Sequence, residues 1–334
     1  MKAVYAVNGT VESREIPEPH AGPGEILVRV HAAGLNAADR YVIEGSHISG
    51  PFVRAPDVPA VVAPAPLGSE FAGEVVALGD GVVSCRVGDR VMGTSGGTFA
   101  ELTTVRDGFY LPVPDNLSWV EAAAVPVTFV SAHDALTNAG AFARSDAVLV
   151  NAASSGVGVA ALQLLRVLGA ATVIASSTSQ DKLDLVASVS LPFDIGVIAG
   201  DADFVNRCLG ATGERGVDLI LDSVGAPAMA DNIAVSAIAA RIVSIGRMGG
   251  GHAEVNLHEL SRKRISLIGT TFRTRSVSQL AVVFSDAAAV LTPALADGRV
   301  RPIVDRVFSL GEAADAEAYL VHGKRLGKVV LDVS

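Results

Sequence analysis

The spacing of apolar residues along this chain changes character twice. Over the first 120 residues they fall in short runs, ILVRVHAAGL, FAGEVVALG, DRVMG and FAELTTV, separated by Pro-Gly, Gly-Asp and Gly-Gly. That punctuation predicts short strands joined by turns, hence a small barrel-like β domain. From about Trp119 the period lengthens. VEAAAVPVTFVSAHDAL and GVAALQLLRVLG carry helical spacing, and the strand-like runs AVLVNA, ATVIAS, VDLILDSVG and ARIVSIG alternate with such stretches. Strand and helix in alternation predict βαβ units and a parallel sheet. From roughly Leu267 come LIGTTF, a helical SVSQLAVVFSDAAAVLTPALADG, and the strand-like IVDRVF and GKVVLDV, a tail predicted to return to the first domain.

Composition narrows the class. The 334 residues exceed one domain at about 150 residues each, and a hydrophobic content of 50% supports two cores. The 34 glycines and 5% aromatics suit an α/β protein rich in tight strand-to-helix turns. A net charge of −9 argues against a nucleic-acid partner, which would need a basic face. Cys85 and Cys208 stand far apart with no CxxC partner, so no disulfide framework or cysteine zinc site is expected, and a reducing cytoplasm fits. The start MKAVYAVNGTVE shows no signal-peptide pattern. The 19 residues from Ala147 to Leu165 lack a charge, yet Asn151, Ser154, Ser155, Gly156, Gly158 and Gln163 fit a buried strand turning into a helix better than a membrane span.

The strongest local chemistry is AVLVNAASSGVGVAALQLLRVLGA. A buried strand ends at Asn151, the small-residue turn Ala153-Ser154-Ser155-Gly156-Val157-Gly158 follows, and an apolar helix begins, which is where a pyrophosphate can meet helix N–H groups. Against G-x-G-x-x-G, Ala153 and Ser155 replace the first two glycines, and Gly158 keeps the third, needed for close helix-to-strand packing. The next strand ends in Ser176-Ser177-Thr178-Ser179 with Lys182 beyond, where an NAD-type site would carry a carboxylate. Hydroxyls and an ammonium suit the 2′-phosphate of NADPH. The same serines can also cap a helix, and both roles can coexist.

At these residues the chain resembles the medium-chain dehydrogenase/reductase superfamily, in its zinc-independent quinone oxidoreductase-like branch. The resemblance runs nearly full length through PGEILVRVHAAGLNAADRY, PLGSEFAGEVVALGDGVVSCRVGDRVMG, GGTFAELTTV, EAAAVPVTFVSAHDAL, NAASSGVGVAALQLLRVLGA, DSVG and GKVVL. It implies a GroES-like β-barrel domain over residues 1–121 and 266–334, and a doubly wound Rossmann NADPH-binding domain over 122–265, with the active site in the cleft between them. It also implies a cytoplasmic homodimer, with no membrane partner, that transfers hydride from NADPH to a small hydrophobic quinone or conjugated carbonyl. An enoyl reductase tailoring a polyketide or other secondary metabolite is the alternative within the class. A cofactor-binding protein with little catalysis is the alternative outside it.

The resemblance also bears on single residues. Zinc alcohol dehydrogenases of the superfamily carry cysteine at the position of Asn36 and histidine at that of Ser69, so no metal is expected here, and without a Lewis acid a simple alcohol is a poor substrate. Asn36 matches a family asparagine whose amide can donate to substrate oxygen or cofactor, and Tyr41 matches a tyrosine of the branch. Asn36 can otherwise be read as a turn residue and Tyr41 as packing. His47 stands where related enzymes place a tyrosine that serves as a candidate proton donor, and it is equally readable as a loop histidine. The stretch from His47 to Gly68, rich in Pro, Ala and Val, reads as an extended loop able to shape a pocket or act as a lid. Ser131 matches a cofactor-contacting threonine. Ser223 and Gly246 follow later strands, whose carboxyl ends face the ligand crevice of such a sheet. Lys328 is open to a cofactor contact or a turn role, and Glu70 to structural pairing.

Overall fold

The structure is a computed structural model that describes residues 1–44, 65–323 and 325–334. The chain separates into two compact units, residues 1–130 with 272–334, and residues 131–271.

The first unit holds strands β1 (Lys2–Val7), β2 (Thr10–Glu15), β3 (Glu25–Gly34), β4 (Glu70–Leu78), β5 (Arg90–Thr94), β6 (Leu102–Arg106) and β7 (Tyr110–Pro112). Helices α1 (Ala37–Ile43), α2 (Trp119–Ala122) and the start of α3 (Pro126–Asp134) belong to the same stretch. The main sheet of the second unit is built from β8 (Ala147–Val150), β9 (Thr172–Ser177), β10 (Ile195–Ile198), β11 (Val217–Asp222), β12 (Ser236–Ser244) and β13 (Ser266–Gly269). Between them run α4 (Gly156–Leu168), α5 (Gln180–Ser188), α6 (Phe204–Ala211), α7 (Met229–Val235) and α8 (Leu257–Lys263). The tail supplies α9 (Val277–Ala296), β14 (Val304–Ser309), α10 (Ala313–His322) and β15 (Lys328–Asp332).

In the first unit the strands follow the order β14-β15-β3-β4-β5-β7, with β6 also on β3. The tail does return: β15 pairs antiparallel with β3, setting Val330 opposite Gly34. Alternation decides which faces are buried, so Ile26, Val28 and Val30 of β3 enter a core with Phe71, Val75, Phe99, Val329 and Leu331. The long apolar helix α9 buries Val283, Phe284, Ala287, Leu291, Ala294 and Leu295, one helical face. It is the one helix, among the described residues, long and apolar enough to cross a membrane by length and composition.

The second unit is a parallel sheet in the order β10-β9-β8-β11-β12-β13. This is the doubly wound order, in which the chain reverses direction beside the first strand and opens a crevice at the carboxyl ends of β8 and β11. The uncharged 19-residue segment is divided between β8, every residue of which is buried, and α4. The boundaries differ from those expected. Residues 266–269 belong to the parallel sheet, because β13 pairs with β12 from Arg241↔Ser266 to Ser244↔Gly269. At the other junction the unit ends at Val130 and not at Glu121, as the N–H of Val127 donates to Glu70 of β4.

Candidate active site

In the first unit four segments converge on Asn36. β3 ends at Gly34, Leu35 donates its N–H to the carbonyl of Val329 at 3.0 Å, and this pairing sets Lys328 of β15 beside the Leu35–Asn36 turn. The Lys328 ammonium donates to the Leu35 carbonyl, to Asn36 Oδ1 at 3.0 Å and to Glu70 Oε1, so its three N–H groups are all engaged. Glu70 is fully buried, and its other oxygen accepts the Val127 N–H at 2.7 Å. Burying an ion pair is tolerated where the remaining lone pairs are satisfied, as these are. Gly34 makes room for it: a Cβ there would fall 2.5 Å from Glu70 Oε1 and 2.6 Å from the carbonyl of Ala123.

Asn36 is held from every side. Its Nδ2 donates to Glu70 Oε1 at 2.8 Å and to Ser69 Oγ at 3.2 Å. Its backbone N–H donates to Asp39 Oδ2 at 2.7 Å, closing the first turn of α1. Both N–H groups of the Asn36 amide, expected to donate to substrate oxygen or cofactor, are hydrogen-bonded within this network. The hydrogen that stays uncommitted, among the described residues, is that of the half-buried Ser69 hydroxyl, which accepts from Asn36 and keeps its own O–H. Tyr41 lies on α1 and is half-buried. His47 and residues 47–64 of the proline-rich stretch lie outside the described residues.

Asp39 is 4% exposed, and burial pushes its carboxyl up to about 7 against the opposing pull of the Asn36 N–H and Lys328. These residues do not fit a zinc ion. The two positions that would carry thiolate and imidazole hold an amide hydrogen-bonded to a hydroxyl, and the neighbouring carboxylate is paired with an ammonium. Among the described residues no group of three or more His, Cys, Asp or Glu is placed to hold a metal.

The second unit carries the dinucleotide features. After β8 the chain turns through Ala152, an alanine at φ 55°, and the Ala153 N–H donates to the carbonyl of Ser176 at 2.8 Å, locking the turn to the end of β9. Ser155 caps α4 by accepting the Gly158 N–H at 3.1 Å, which leaves the first-turn N–H groups of Gly156 and Val157 without acceptors in the helix. Ser154 is nearly buried. At Gly158 a Cβ would fall 2.4 Å from the carbonyl of Ala152 and 2.7 Å from Ala153 Cα, so the third fingerprint glycine is required by backbone proximity. Gly158→Ala is expected to displace this turn, destabilising the unit by about 1–3 kcal/mol and weakening nicotinamide dinucleotide binding in a fluorescence titration. Wild-type melting and affinity would show that the turn yields.

The residues expected to meet a 2′-phosphate differ in exposure. Ser176 is 1% exposed in β9, paired opposite Val197, and has no surface to offer a phosphate. Thr178 is exposed and its hydroxyl accepts from Lys182 Nζ at 3.1 Å, while Ser179 caps α5 through the Lys182 N–H. Ser131 lies half-buried on α3. Ser223 follows β11, and Gly246 follows β12 with its N–H on the Asp222 carbonyl at 3.2 Å, the ends that line the crevice of such a sheet. Together the turn, the open N-terminus of α4 and the Thr178–Lys182 pair fit a nicotinamide dinucleotide.

Sequence reasoning missed two features. Asn151 donates to Asn232 Oδ1 at 2.8 Å under this turn, and beside it the fully buried Asp222 accepts from Val224 and Gly225, with burial raising its carboxyl. The other is Glu317 on α10. Ala313, Ala316, Glu317 and Leu320 form its buried stripe at the i, i+3, i+4, i+7 spacing, so a glutamate in an otherwise apolar stripe was the available signal.

A β domain built from both ends of the chain, with a doubly wound nucleotide domain between them in sequence, defines a nicotinamide-dependent oxidoreductase. The alcohol dehydrogenase GroES-like domain family matches residues 22–115, and the zinc-binding dehydrogenase family matches residues 156–286. Quinone oxidoreductase-like protein 2 of Rattus norvegicus is 30% identical over 322 residues, covering 96% of this chain and 88% of that protein. A part of a phenolphthiocerol/phthiocerol polyketide synthase of Mycobacterium tuberculosis is 29% identical over 326 residues, covering 92% of this chain and 14% of that protein. Among solved structures, a mycobacterial protein complexed with NADPH superposes with a TM-score of 0.86 at 28% identity, over 100% of both chains. The chain belongs to the medium-chain dehydrogenase/reductase superfamily, in its quinone oxidoreductase-like branch.

Proposed function

We propose that this protein is a zinc-independent NADPH-dependent reductase that passes hydride to a quinone or an α,β-unsaturated carbonyl acceptor. The observation that carries the reading is the Ser69 hydroxyl, held by Asn36 and backed by the Glu70–Lys328 pair at the positions where a metal-dependent relative has zinc ligands. Reduction of an electron-poor double bond leaves negative charge on an oxygen, and a preorganised O–H donor stabilises it without a Lewis acid. Bound NADPH supplies the hydride. Thr178, Ser179 and Lys182 select the 2′-phosphate, and the N-terminus of α4 receives the pyrophosphate.

The test is steady-state NADPH oxidation against quinones, enones and enoyl thioesters, with and without a chelator. Turnover of the first two classes, indifferent to chelation, is expected. Loss of activity on chelation would overturn the metal-free reading. The match to a polyketide synthase favours a second reading, in which the acceptor is an enoyl thioester; preference for thioesters in the same panel would establish it. Tight NADPH binding with no acceptor reduced would instead mark a cofactor-binding protein.

Cofactor choice is separately testable. A charge-assisted phosphate contact contributes about 1.5–3 kcal/mol, so Lys182→Ala is expected to narrow the preference for NADPH over NADH by about tenfold or more, measured as the ratio of dissociation constants. Equal affinity for the two cofactors in the unmutated protein would remove the phosphate from this site.

A further inference from the structure

Beneath the Asn36 network lies a group the proposed mechanism does not use. Glu317, on the buried stripe of α10, is 7% exposed, and its Oε1 has no hydrogen-bond partner among the described residues. Helix α10 packs on β15, which carries Lys328, and on α1, which carries Asp39. Asp39 on α1, Glu70 on β4 and Glu317 on α10 are three buried carboxyl groups; Lys328 bonds to the second, and α10 packs on both α1 and the strand that carries Lys328. A buried carboxylate must find a cation or donors, and here they are already assigned. Lys328 gives its three N–H groups to Leu35, Asn36 and Glu70, and the Asn36 backbone N–H serves Asp39.

Two further cations, Arg325 and Arg40, draw on Glu317, and among the described residues neither is hydrogen-bonded to its Oε1. Arg40 on α1 is paired with Glu44, and the Arg325 guanidinium, just beyond α10, donates to the Leu320 carbonyl. Across the other packed elements, Asp305 of β14 accepts from Tyr319 at 2.7 Å, and Arg306 lies over the Phe308 and Tyr319 rings. On β2, Arg14 pairs with Glu12 at 3.3 Å, and Glu15 lies 3.6 Å from the terminal amine. Near Asp39 the further charges are Glu70 and Arg273.

We propose that Glu317 is a positioning residue that stands neutral in the working protein, so that Lys328 stays on Asn36 and Glu70 and the amide keeps Ser69 in place. Ionised, Glu317 becomes a second anion competing for the same ammonium, and Asn36 loses its fixed orientation. Burial and the nearby Asp39 push the Glu317 carboxyl up to about 8, consistent with this state near neutrality. The folded protein therefore holds a proton that the unfolded chain releases above 4.5, and stability falls as pH rises from there to about 8. The inference rests on the reading of Asn36 and Ser69 as the reducing site, but two of its three readouts do not use activity.

The first readout is infrared titration of the protein without ligands: beside the Asp39 component, which fades through about 7, the protonated-carboxyl band should carry a second component that disappears only as pH rises through about 8 and that is missing in Glu317→Gln. The second is the denaturation midpoint, whose fall between pH 5 and pH 8 should be smaller in Glu317→Gln than in the wild type. The third is the pH profile of acceptor-dependent NADPH oxidation. One unit above its titration point about tenfold less neutral Glu317 remains, so the ratio of the rate at pH 9 to that at pH 7 should rise severalfold in Glu317→Gln. A neutral-acid band with no component removed by Glu317→Gln, or a variant with an unchanged midpoint slope, overturns the proposal even if the protein reduces quinones. Absence of any reduction with the first two readouts as expected would overturn the proposed activity and leave the neutral Glu317 standing.

Discussion

Lys328→Met is expected to be the most destabilising single substitution at this site, lowering the stability of the first unit by about 3–5 kcal/mol, the usual effect of removing one partner of a buried ion pair. The ammonium lies 6% exposed against a fully buried Glu70 carboxylate, and among the described residues no other cation is hydrogen-bonded to Glu70. Methionine fills nearly the same volume and leaves the anion unpaired, so the loss reports charge and not a cavity. Urea unfolding followed by far-UV circular dichroism measures it, and the double variant Glu70→Gln with Lys328→Met should recover most of the loss, since both charges are then gone. A loss below about 1 kcal/mol, the range of exposed pairs, would mean that water reaches Glu70.

The second large effect is on rate. Ser69→Ala removes the one hydroxyl that Asn36 orients and that keeps its own hydrogen, so hydride transfer should slow by about 10²-fold, the scale of deleting one oxyanion donor. NADPH affinity should change little, because the residues proposed to hold its phosphates, at the start of α4 and at Thr178 and Lys182, belong to the second unit. Single-turnover kinetics separates the two quantities. Ser69→Thr, which keeps the hydroxyl, should recover part of the rate, whereas a Ser69→Ala enzyme reducing acceptors at full speed would return the oxygen-directed role to another group.

Several features of the site were legible in the residues themselves. The parallel sheet follows from AVLVNA, ATVIAS, VDLILDSVG and ARIVSIG because a strand buried on both faces must be continuously apolar. Gly158 could be singled out because a helix start packed on a strand end leaves no space for a side chain, and the backbone atoms around it bear this out. The replacement of thiolate and imidazole by Asn36 and Ser69 is a matter of identity, readable without coordinates. The tail's return was also legible, since GKVVLDV is an apolar strand needing a partner, which β3 supplies.

Only the tertiary structure decided what those side chains do. Asn36, Ser69, Glu70 and Lys328 are separated by up to 292 positions along the chain, and which hydrogen of which group remains uncommitted depends on distances that strand register alone sets. Ser176 and Thr178 look interchangeable beside Lys182, yet the first lies inside β9, paired with Val197 of β10 and sealed, whereas the second lies just past the strand's end and is exposed. Residues 266–269 read as part of the tail because a short apolar strand does not state which sheet it joins; pairing with β12 does. The buried position of Glu317 beside Asp39 follows from the same cause, for the helical stripe shows that it faces inward, and only the packing of α10 on α1 and β15 determines the charges it meets there.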